Sequence, residues 1–287
     1  MKLGKILVTG ASGNCGTFVS HTLVELGEIV VRTYTTNNRL PALEHSTDVK
    51  FDFTDPSTFE NALKDVDRVF LMRPPHLGKP EDLFPFIECM KNHGIKLVCF
   101  LSLMGIEKNS IPPHYKIEKY IEKLEIPYAH IRPGFFMQNI SGVHAVEIRE
   151  QDTIFVPAGK SKTSFIDAKD IGEATAFILH NYQNYLNTAH TITGPEALDY
   201  YQVAEILSNV LGRKITYAKP SFLNYRRVYI KKRKLNKTYV NVSVALYFMT
   251  RMGTAKNVTD DFYQITGKHP RSFKSFAIDN KNDFLKV

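Results

Sequence analysis

The sequence predicts an α/β protein, with a doubly wound parallel sheet followed by a smaller mixed α/β C-terminal lobe. Three observations predict it. A glycine-rich turn, Gly10-Ala11-Ser12-Gly13-Asn14-Cys15-Gly16, stands between a short β-branched run and an amphipathic one. Short apolar runs then alternate with helical segments as far as Arg132, the rhythm of right-handed βαβ units. Past Pro133-Gly134 that rhythm breaks into helices, short strands and an aromatic, basic stretch.

The run Lys5-Ile6-Leu7-Val8-Thr9 reads as a buried parallel strand. Residues 18–26 put Phe18, Val19, Leu23 and Leu26 on one helical face. Between them, Gly10 allows a tight turn and Gly13 lets the backbone approach a pyrophosphate. Gly16 lets the helix pack closely on the strand, and the helix N-terminus offers N–H groups and a positive dipole end. The spacing is G-x-x-G-x-x-G, not the G-x-G-x-x-G of the common Rossmann fingerprint. A tight turn that binds nothing is the bland alternative; the agreement of strand, helix and position favours a bound dinucleotide.

Residues 29–34 form the second strand, and 35–47 are too short and polar for a full crossover helix. Residues 49–53 alternate like a third strand, with Pro56 suited to a first helical turn. Residues 68–72 make the fourth strand, ended by Pro74-Pro75. A helix over 81–92 stops at Gly94, and 97–102 form the fifth strand. A helix over 114–124 and a sixth strand over 128–132 complete the core. Beyond it, 167–179 and 201–211 are helical, with short strands at 190–192 and 215–218. Residues 221–252 read as helical and apolar-basic. The expected division is 1–134 for the dinucleotide-binding core and 135–287 for a substrate lobe, some of whose segments return to the core.

Composition excludes several classes. Of 287 residues, 43% are hydrophobic and 23% charged, as in ordinary globular chains. No apolar run approaches the ~20 residues that span a bilayer, and the N-terminus enters a strand directly, unlike a signal or transit peptide. Three cysteines (Cys15, Cys89, Cys99) without C-x-x-C spacing give neither a disulfide framework nor a zinc site. A cytoplasmic protein is expected. The ten histidines show no H-x-x-x-H on a predicted helix, so no metal is expected. The net charge of +8 suits an anionic ligand. The basic run from Arg226 to Lys234 lacks a recognition-helix pattern, which favours a solvated helix face over nucleic-acid contact.

Four stretches carry a family likeness: the glycine turn, Val69-Phe70-Leu71-Met72, Ile131-Arg132-Pro133-Gly134-Phe135-Phe136-Met137-Gln138-Asn139, and Thr163-Ser164-Phe165-Ile166-Asp167-Ala168-Lys169-Asp170-Ile171-Gly172. With Thr193-Gly194-Pro195-Glu196-Ala197-Leu198 and Thr266-Gly267-Lys268-His269-Pro270-Arg271, the chain resembles the NmrA-like branch of the atypical short-chain dehydrogenase/reductases over almost its whole length. That family holds quinone and dye reductases, reductases of plant phenolics, and NADP-binding regulators without turnover. Many members are labelled nucleoside-diphosphate-sugar epimerases.

The resemblance implies a set of cofactor contacts. Gly10, Ser12, Gly13, Asn14, Cys15 and Gly16 would hold the pyrophosphate. Thr35, Thr36 and Asn37 would lie by the adenosine ribose, and Asp52 and Phe53 beside adenine. Met72, Arg73 and Pro74 would run along ribose and pyrophosphate, with Ser102, Leu103, Pro133 and Phe135 facing nicotinamide. The family often places an arginine where this chain has Thr36, and no acidic residue ends the second strand. Arg32 should lie within that strand. Arg39 is either a phosphate clamp or a solvated loop residue. NADP is favoured over NAD, and the choice stays open.

Reductases of the wider superfamily use a tyrosine, a lysine four residues on and a serine. Tyr115, Lys119 and Ser102 have that spacing, and one helical turn puts Tyr115 and Lys119 on one face. Tyr115 is otherwise an exposed first-turn residue after Pro112-Pro113. Family members often show a histidine matching His114 and a Glu-Lys pair like Glu118-Lys119, so His114 is a proton donor or a helix-end residue. Lys119 suits a contact to nicotinamide ribose in either case. Phe135, Phe136, Met137, Tyr225 and Tyr229 line a pocket for a flat substrate or are core. Three functions follow: an NAD(P)H-dependent oxidoreductase of a small aromatic or quinone-like substrate, a non-catalytic dinucleotide sensor with a protein partner, and a nucleotide-sugar epimerase. The first is favoured; the oligomeric state is not legible.

Overall fold

The period-2 and period-3.6 patterns become strands and helices largely where they occur. In the computed structural model, which describes residues 4–35 and 40–286, β1 (Lys5–Val8) leads through the glycine turn to α1 (Asn14–Glu25) and β2 (Val30–Tyr34). There follow β3 (Ser46–Lys50), α2 (Phe59–Leu63), β4 (Val66–Met72), α3 (Phe84–Asn92), β5 (Leu97–Leu101), α4 (Pro113–Lys123) and β6 (Tyr128–Pro133). Next come β7 (Phe135–Phe136), α5 (Gln138–Ser141), α6 (Ala145–Gln151), β8 (Thr153–Ile154), β9 (Thr163–Ile166), α7 (Ala168–His180) and β10 (Thr188–Ile192). The chain closes with β11 (Ala197–Leu198), α8 (Tyr200–Leu211), β12 (Thr216–Tyr217), α9 (Phe222–Arg227), α10 (Lys237–Arg251), α11 (Asp261–Thr266) and α12 (Phe273–Asp279).

These elements make two units: Met1–Pro133 with Ala168–Ile192 and Asp261–Lys268, and Gly134–Asp167 with Thr193–Asp260 and His269–Val287. The first contains a seven-stranded sheet of order β10-β6-β5-β4-β1-β2-β3, every pair parallel. The direction of winding reverses between β1 and β4. In such sheets the crevice beyond the carboxyl ends of the strands at that reversal is the place for a ligand. The expected fold class is therefore the observed one.

Two elements differ from expectation. The third strand lies at 46–50, three residues before the alternating run 49–53, because its pairing with β2 starts at Ser46 opposite Val30. The alternation of Phe51 and Phe53 has another cause. Both rings are buried and pack edge-on against each other and against Phe86. The short strand expected at 190–192 is β10, five residues long, and it extends the main sheet beside β6.

Helices cover both faces of this sheet. On one, α1 and α7 come close enough that a Cβ on Gly172 would fall 2.5 Å from Phe18 Cβ. On the other, Phe59, Phe86, Ile87, Ile117 and Ile121 form the core with the sheet. Arg68, fully buried on β4, gives both Nη atoms to the Glu28 carboxylate at 2.9 and 3.0 Å, and Nη1 also meets the Leu179 carbonyl. One side chain thus ties β4 to the start of β2 and the end of α7.

The second unit holds a three-stranded sheet, β11-β9-β7, and the pair β12-β8. Its core is aromatic, with Tyr200, Tyr225, Tyr229, Tyr247, Phe165 and Phe273. Asp199 caps α8 through Tyr201 and Gln202 N–H while Gln202 bonds back to Asp199 N–H, a capping box. A π-helical turn over Val228–Lys232 follows α9 and buries Tyr229. In the basic run, Arg227, Lys231, Lys232 and Lys234 are exposed, as a solvated helix face requires. No helix among the described residues is long and apolar enough to cross a membrane.

Candidate functional site

Gly10 has φ +63, a left-handed conformation, and a Cβ there would lie 2.2 Å from Met72 Cε. Gly13 is the N-cap of α1 and no side chain caps that helix. A Cβ on Gly13 would meet Gly10 O at a tight 3.3 Å and Met72 Cε at 3.7 Å, so it would crowd the turn. Gly16 departs from expectation: its Cβ would fall 2.2 Å from the Gly10 carbonyl oxygen, so the turn's own backbone, more than the strand, demands glycine.

The turn is fastened to its neighbours. Gly13 N–H donates to Gly10 O at 2.9 Å and Gly10 N–H to Thr33 Oγ1 at 3.2 Å. Thr9 Oγ1 donates to Phe70 O at 3.0 Å and accepts from Met72 N–H at 2.8 Å. Ser12 and Asn14 are exposed, while Cys15 is 2% exposed and offers a ligand only its backbone. First-turn N–H groups, a positive dipole end and missing Cβ atoms fit a pyrophosphate.

At the end of β2, Thr35 is exposed, and Thr36, Asn37 and Arg39 lie outside the described residues. Arg32 lies inside the strand as expected, held by Asp48 at 2.8 Å and the Pro41 carbonyl. Asp52 Oδ1 accepts from Thr54 N–H and Oγ1–H at 2.8 and 2.7 Å. Those bonds hold its carboxyl below the ordinary range. Phe53 is 7% exposed and its ring belongs to the phenylalanine cluster.

After β4, Met72 lies against Gly10, and Arg73 turns back on its own loop. Arg73 Nη1 donates to the carbonyls of Pro74 and Leu77, its Nε is buried without a partner, and burial lowers its pKa. No carboxylate pairs with it among the described residues. His114 lies close by. Burial first, and the Arg73 charge second, push its pKa down to about 3, and its Nδ1 is buried without a partner.

Ser102, at the end of β5, donates its N–H to Ile131 O at 2.7 Å. Its buried Oγ makes no hydrogen bond of good geometry, though it lies near enough to Glu118 to favour the carboxylate. Glu118 is 1% exposed and takes Arg132 Nε at 3.1 Å and Nη2 at 2.7 Å. Burial works to raise that carboxyl, but the Arg132 bonds keep it below the ordinary range. Beside it, burial pushes His130 down to about 4, and His130 Nε2 stands 3.3 Å from Glu122 Oε1.

The structure brings Tyr115 and Lys119 together on α4, with Lys119 Nζ 5.9 Å from the Tyr115 ring centroid. That ammonium also bonds Glu122 at 2.6 Å, which raises its pKa. Ser102 sits with Glu118, and no hydrogen bond joins it to Tyr115 among the described residues. Leu103 and Pro74 are half-buried and Pro133 is buried. The expectation of no metal cluster is modified: Glu60, Cys89 and His93, and likewise Glu118, Glu122 and His130, bring ligand atoms within 4.8 Å of one another.

The second unit contains a cavity of about 150 Å³ lined by Phe135, Asn139, His144, Tyr239, Ser243, Tyr247 and neighbouring aliphatic residues. Met137, Tyr225 and Tyr229 are core instead. His144, which the sequence did not single out, bonds Tyr229 Oη through Nδ1 at 2.8 Å and Tyr247 Oη through Nε2 at 2.9 Å. Tyr229 O–H donates to Glu147, itself held by Arg233, so Nδ1 carries the proton and Nε2 accepts from Tyr247. Burial, then the Arg233 charge, push His144 down to about 3, and the ring is neutral.

Residues 2–266 match the profile of the NmrA-like family. The chain belongs to the NmrA-like family. This NmrA-like chain is 32% identical over 279 residues to prestalk A differentiation protein A of Dictyostelium discoideum, covering 95% of the chain and 91% of that protein. It is 30% identical over 295 residues to agroclavine dehydrogenase of Claviceps fusiformis, covering 98% of each. An Escherichia coli NADPH-dependent quinone oxidoreductase, solved with NADPH, superposes with TM-score 0.85 at 19% identity, covering 96% of this chain and 99% of that one. That likeness is one of fold.

Proposed function

We propose that this NmrA-like protein is an NAD(P)H-dependent oxidoreductase that reduces a small, flat, aromatic or quinone-like substrate. The observation that carries the reading is the N-terminus of α1, left without a side-chain cap behind a turn whose three glycines have little room for a Cβ. The reading is supported by two relatives of the fold, one named a dehydrogenase and one an NADPH-dependent quinone oxidoreductase.

When bound, the dinucleotide supplies hydride. The protein's part is to hold and orient it. The N–H groups of Asn14, Cys15 and Gly16 and the exposed Ser12 would take the pyrophosphate. Thr35 and Asp52 would meet the adenosine side, and Met72, Arg73 and Pro74 would border the ribose. Thr36, Asn37 and Arg39 would decide between NADP and NAD. Ser102, Leu103 and Pro133 would bound the nicotinamide, and Lys119 its ribose. A histidine held neutral with a pKa near 3 is a poor general acid at pH 7, so His114 would act as a hydrogen-bonding group. A quinone takes hydride readily and draws its proton from water. The aromatic cavity beside Phe135 and Tyr247 is of a chemistry that suits a flat apolar ring.

One observation favours a second reading. With His114 neutral and the Lys119 ammonium on Glu122, neither of these two groups is free to give up a proton, as in a dinucleotide sensor that binds a protein partner. NADPH oxidation with a panel of quinones and azo compounds tests the choice. Turnover supports the reductase; NADPH binding without turnover supports the sensor.

A further inference from the structure

Away from the glycine turn, α2 and α3 bring together three side chains of ligand type: Glu60 on α2, and Cys89 and His93 one helical turn apart on and after α3. Cys89 Sγ lies 3.7 Å from Glu60 Oε1 and 3.7 Å from His93 Nδ1, and His93 Nε2 lies 3.1 Å from Glu60 Oε2. All three ligand atoms fall within 4.8 Å of one another. Zinc bonds of about 2.0–2.3 Å in a tetrahedron put ligand atoms roughly 3.3–3.7 Å apart, a contraction from the 4.8 Å within which the three lie.

The hydrogen bonds say what is missing there. His93 Nδ1 meets the Cys89 carbonyl oxygen at 2.9 Å. A carbonyl only accepts, so Nδ1 carries a proton, and the neutral ring has its lone pair on Nε2. That lone pair faces a carboxylate oxygen, another acceptor. In that tautomer Nε2 and Glu60 Oε2 turn lone pairs toward one another, an arrangement that a metal ion between them can use. The Nδ1–H bond to a backbone carbonyl is also the arrangement that orients a metal-ligating imidazole.

We propose that Glu60, Cys89 and His93 bind a Zn²⁺ ion, with water as fourth ligand. Thiolate, imidazole and carboxylate together suit this borderline-soft cation better than Mg²⁺ or Ca²⁺, which take oxygen ligands. Binding forms Zn–S, Zn–N and Zn–O bonds and releases the thiol proton to solvent, with the Nε2 proton where the ring is charged; no electrons change hands. Affinity therefore rises with pH. The ion fastens α2 to α3. The sequence hides the site because Glu60 lies on a different helix from the Cys89/His93 pair.

The test is titration of the metal-free full chain with Co²⁺ and then Zn²⁺. The expected result is a thiolate-to-cobalt charge-transfer band that Zn²⁺ abolishes, with one Zn²⁺ per chain and a higher Tm. Cys89→Ser should lose the band, and Glu60→Gln, an exposed change that leaves the fold intact, should weaken Zn²⁺ by more than about tenfold. Absence of the band, its survival in Cys89→Ser, or Zn²⁺ affinity unchanged in Glu60→Gln overturns the proposal. So does a titration in which no Zn²⁺ binds.

Discussion

A Cβ on Gly16 would fall 2.2 Å from the carbonyl oxygen of Gly10, whereas one on Gly13 would meet that same oxygen at 3.3 Å. The two glycines therefore fail differently when substituted. Gly16→Ala should strain the turn itself and lower stability by about 1–3 kcal/mol, the range of overpacked cores. Gly13→Val should fold and lose the dinucleotide, since its side chain would take the space proposed for the pyrophosphate. Thermal unfolding alongside NADPH titration checks both; tight NADPH binding by folded Gly13→Val would refute the placement.

On the proposed reading cofactor choice would rest on Arg39, since Arg32 is engaged by Asp48 and Pro41. Arg39→Ala should weaken NADPH by ~1.5–3 kcal/mol, the size of a charged hydrogen bond, and leave NADH unchanged. Arg32→Ala should lower Tm instead. Equal losses of both cofactors in Arg39→Ala would show that it holds something other than the 2′-phosphate.

The pair Glu118–Arg132 gives a stability prediction. Glu118→Ala leaves the partly buried Arg132 guanidinium with Glu107 as its remaining ion pair, a loss of about 1–3 kcal/mol, below that of a fully buried pair. Denaturant unfolding measures it. A loss under 1 kcal/mol, on the order of an exposed pair, would mean water reaches Arg132.

Acid stability follows from His130 and His144, buried groups whose folded pKa values of about 4 and about 3 lie below the ordinary 6.5. Between pH 6.5 and those values the unfolded chain binds a proton that the folded one does not. Stability is therefore full above pH 6.5 and is lost as pH falls toward 4, at ~1.4 kcal/mol per pH unit for each histidine. His130→Phe, which keeps a ring against Tyr128, should remove one such contribution from the slope. An unchanged slope would place the His130 proton elsewhere.

Much of this architecture is local and hence legible. The strands about the glycine turn declare themselves by β-branched runs, and the turn by glycines that backbone geometry requires. What the sequence concealed is non-local. β10 joins the sheet after the 54 residues that separate it from β6, which no periodicity announces. The run 49–53 starts inside β3, where Val49 and Lys50 pair with Thr33 and Tyr34, but its alternation past Lys50 comes from Phe51 and Phe53 facing an aromatic cluster. In the site, the spacing of Tyr115 and Lys119 was readable, but the hold of Glu122 on Lys119 and the place of Ser102 beside Glu118 were not. The His144 network joins residues 82 to 103 positions apart and leaves no sequence mark beyond its tyrosines.

Roles on α4 separate by mutation. Tyr115→Phe should cost less than about tenfold in kcat/KM, since a quinone takes its proton from water. Lys119→Ala should cost more, through loss of the proposed ribose contact and hence of hydride geometry. Loss of all turnover in Tyr115→Phe, with NADPH binding kept, would make the phenol the proton donor.

The most direct test follows a single turnover of the NADPH complex mixed with a quinone, using NADPH with and without deuterium at the transferred position. The account predicts saturable oxidation of NADPH that slows with the deuterated cofactor, with the deuterium recovered in the reduced acceptor or exchanged from its hydroxyl. Tight NADPH binding with no oxidation by any quinone or azo acceptor would contradict it and leave the dinucleotide sensor.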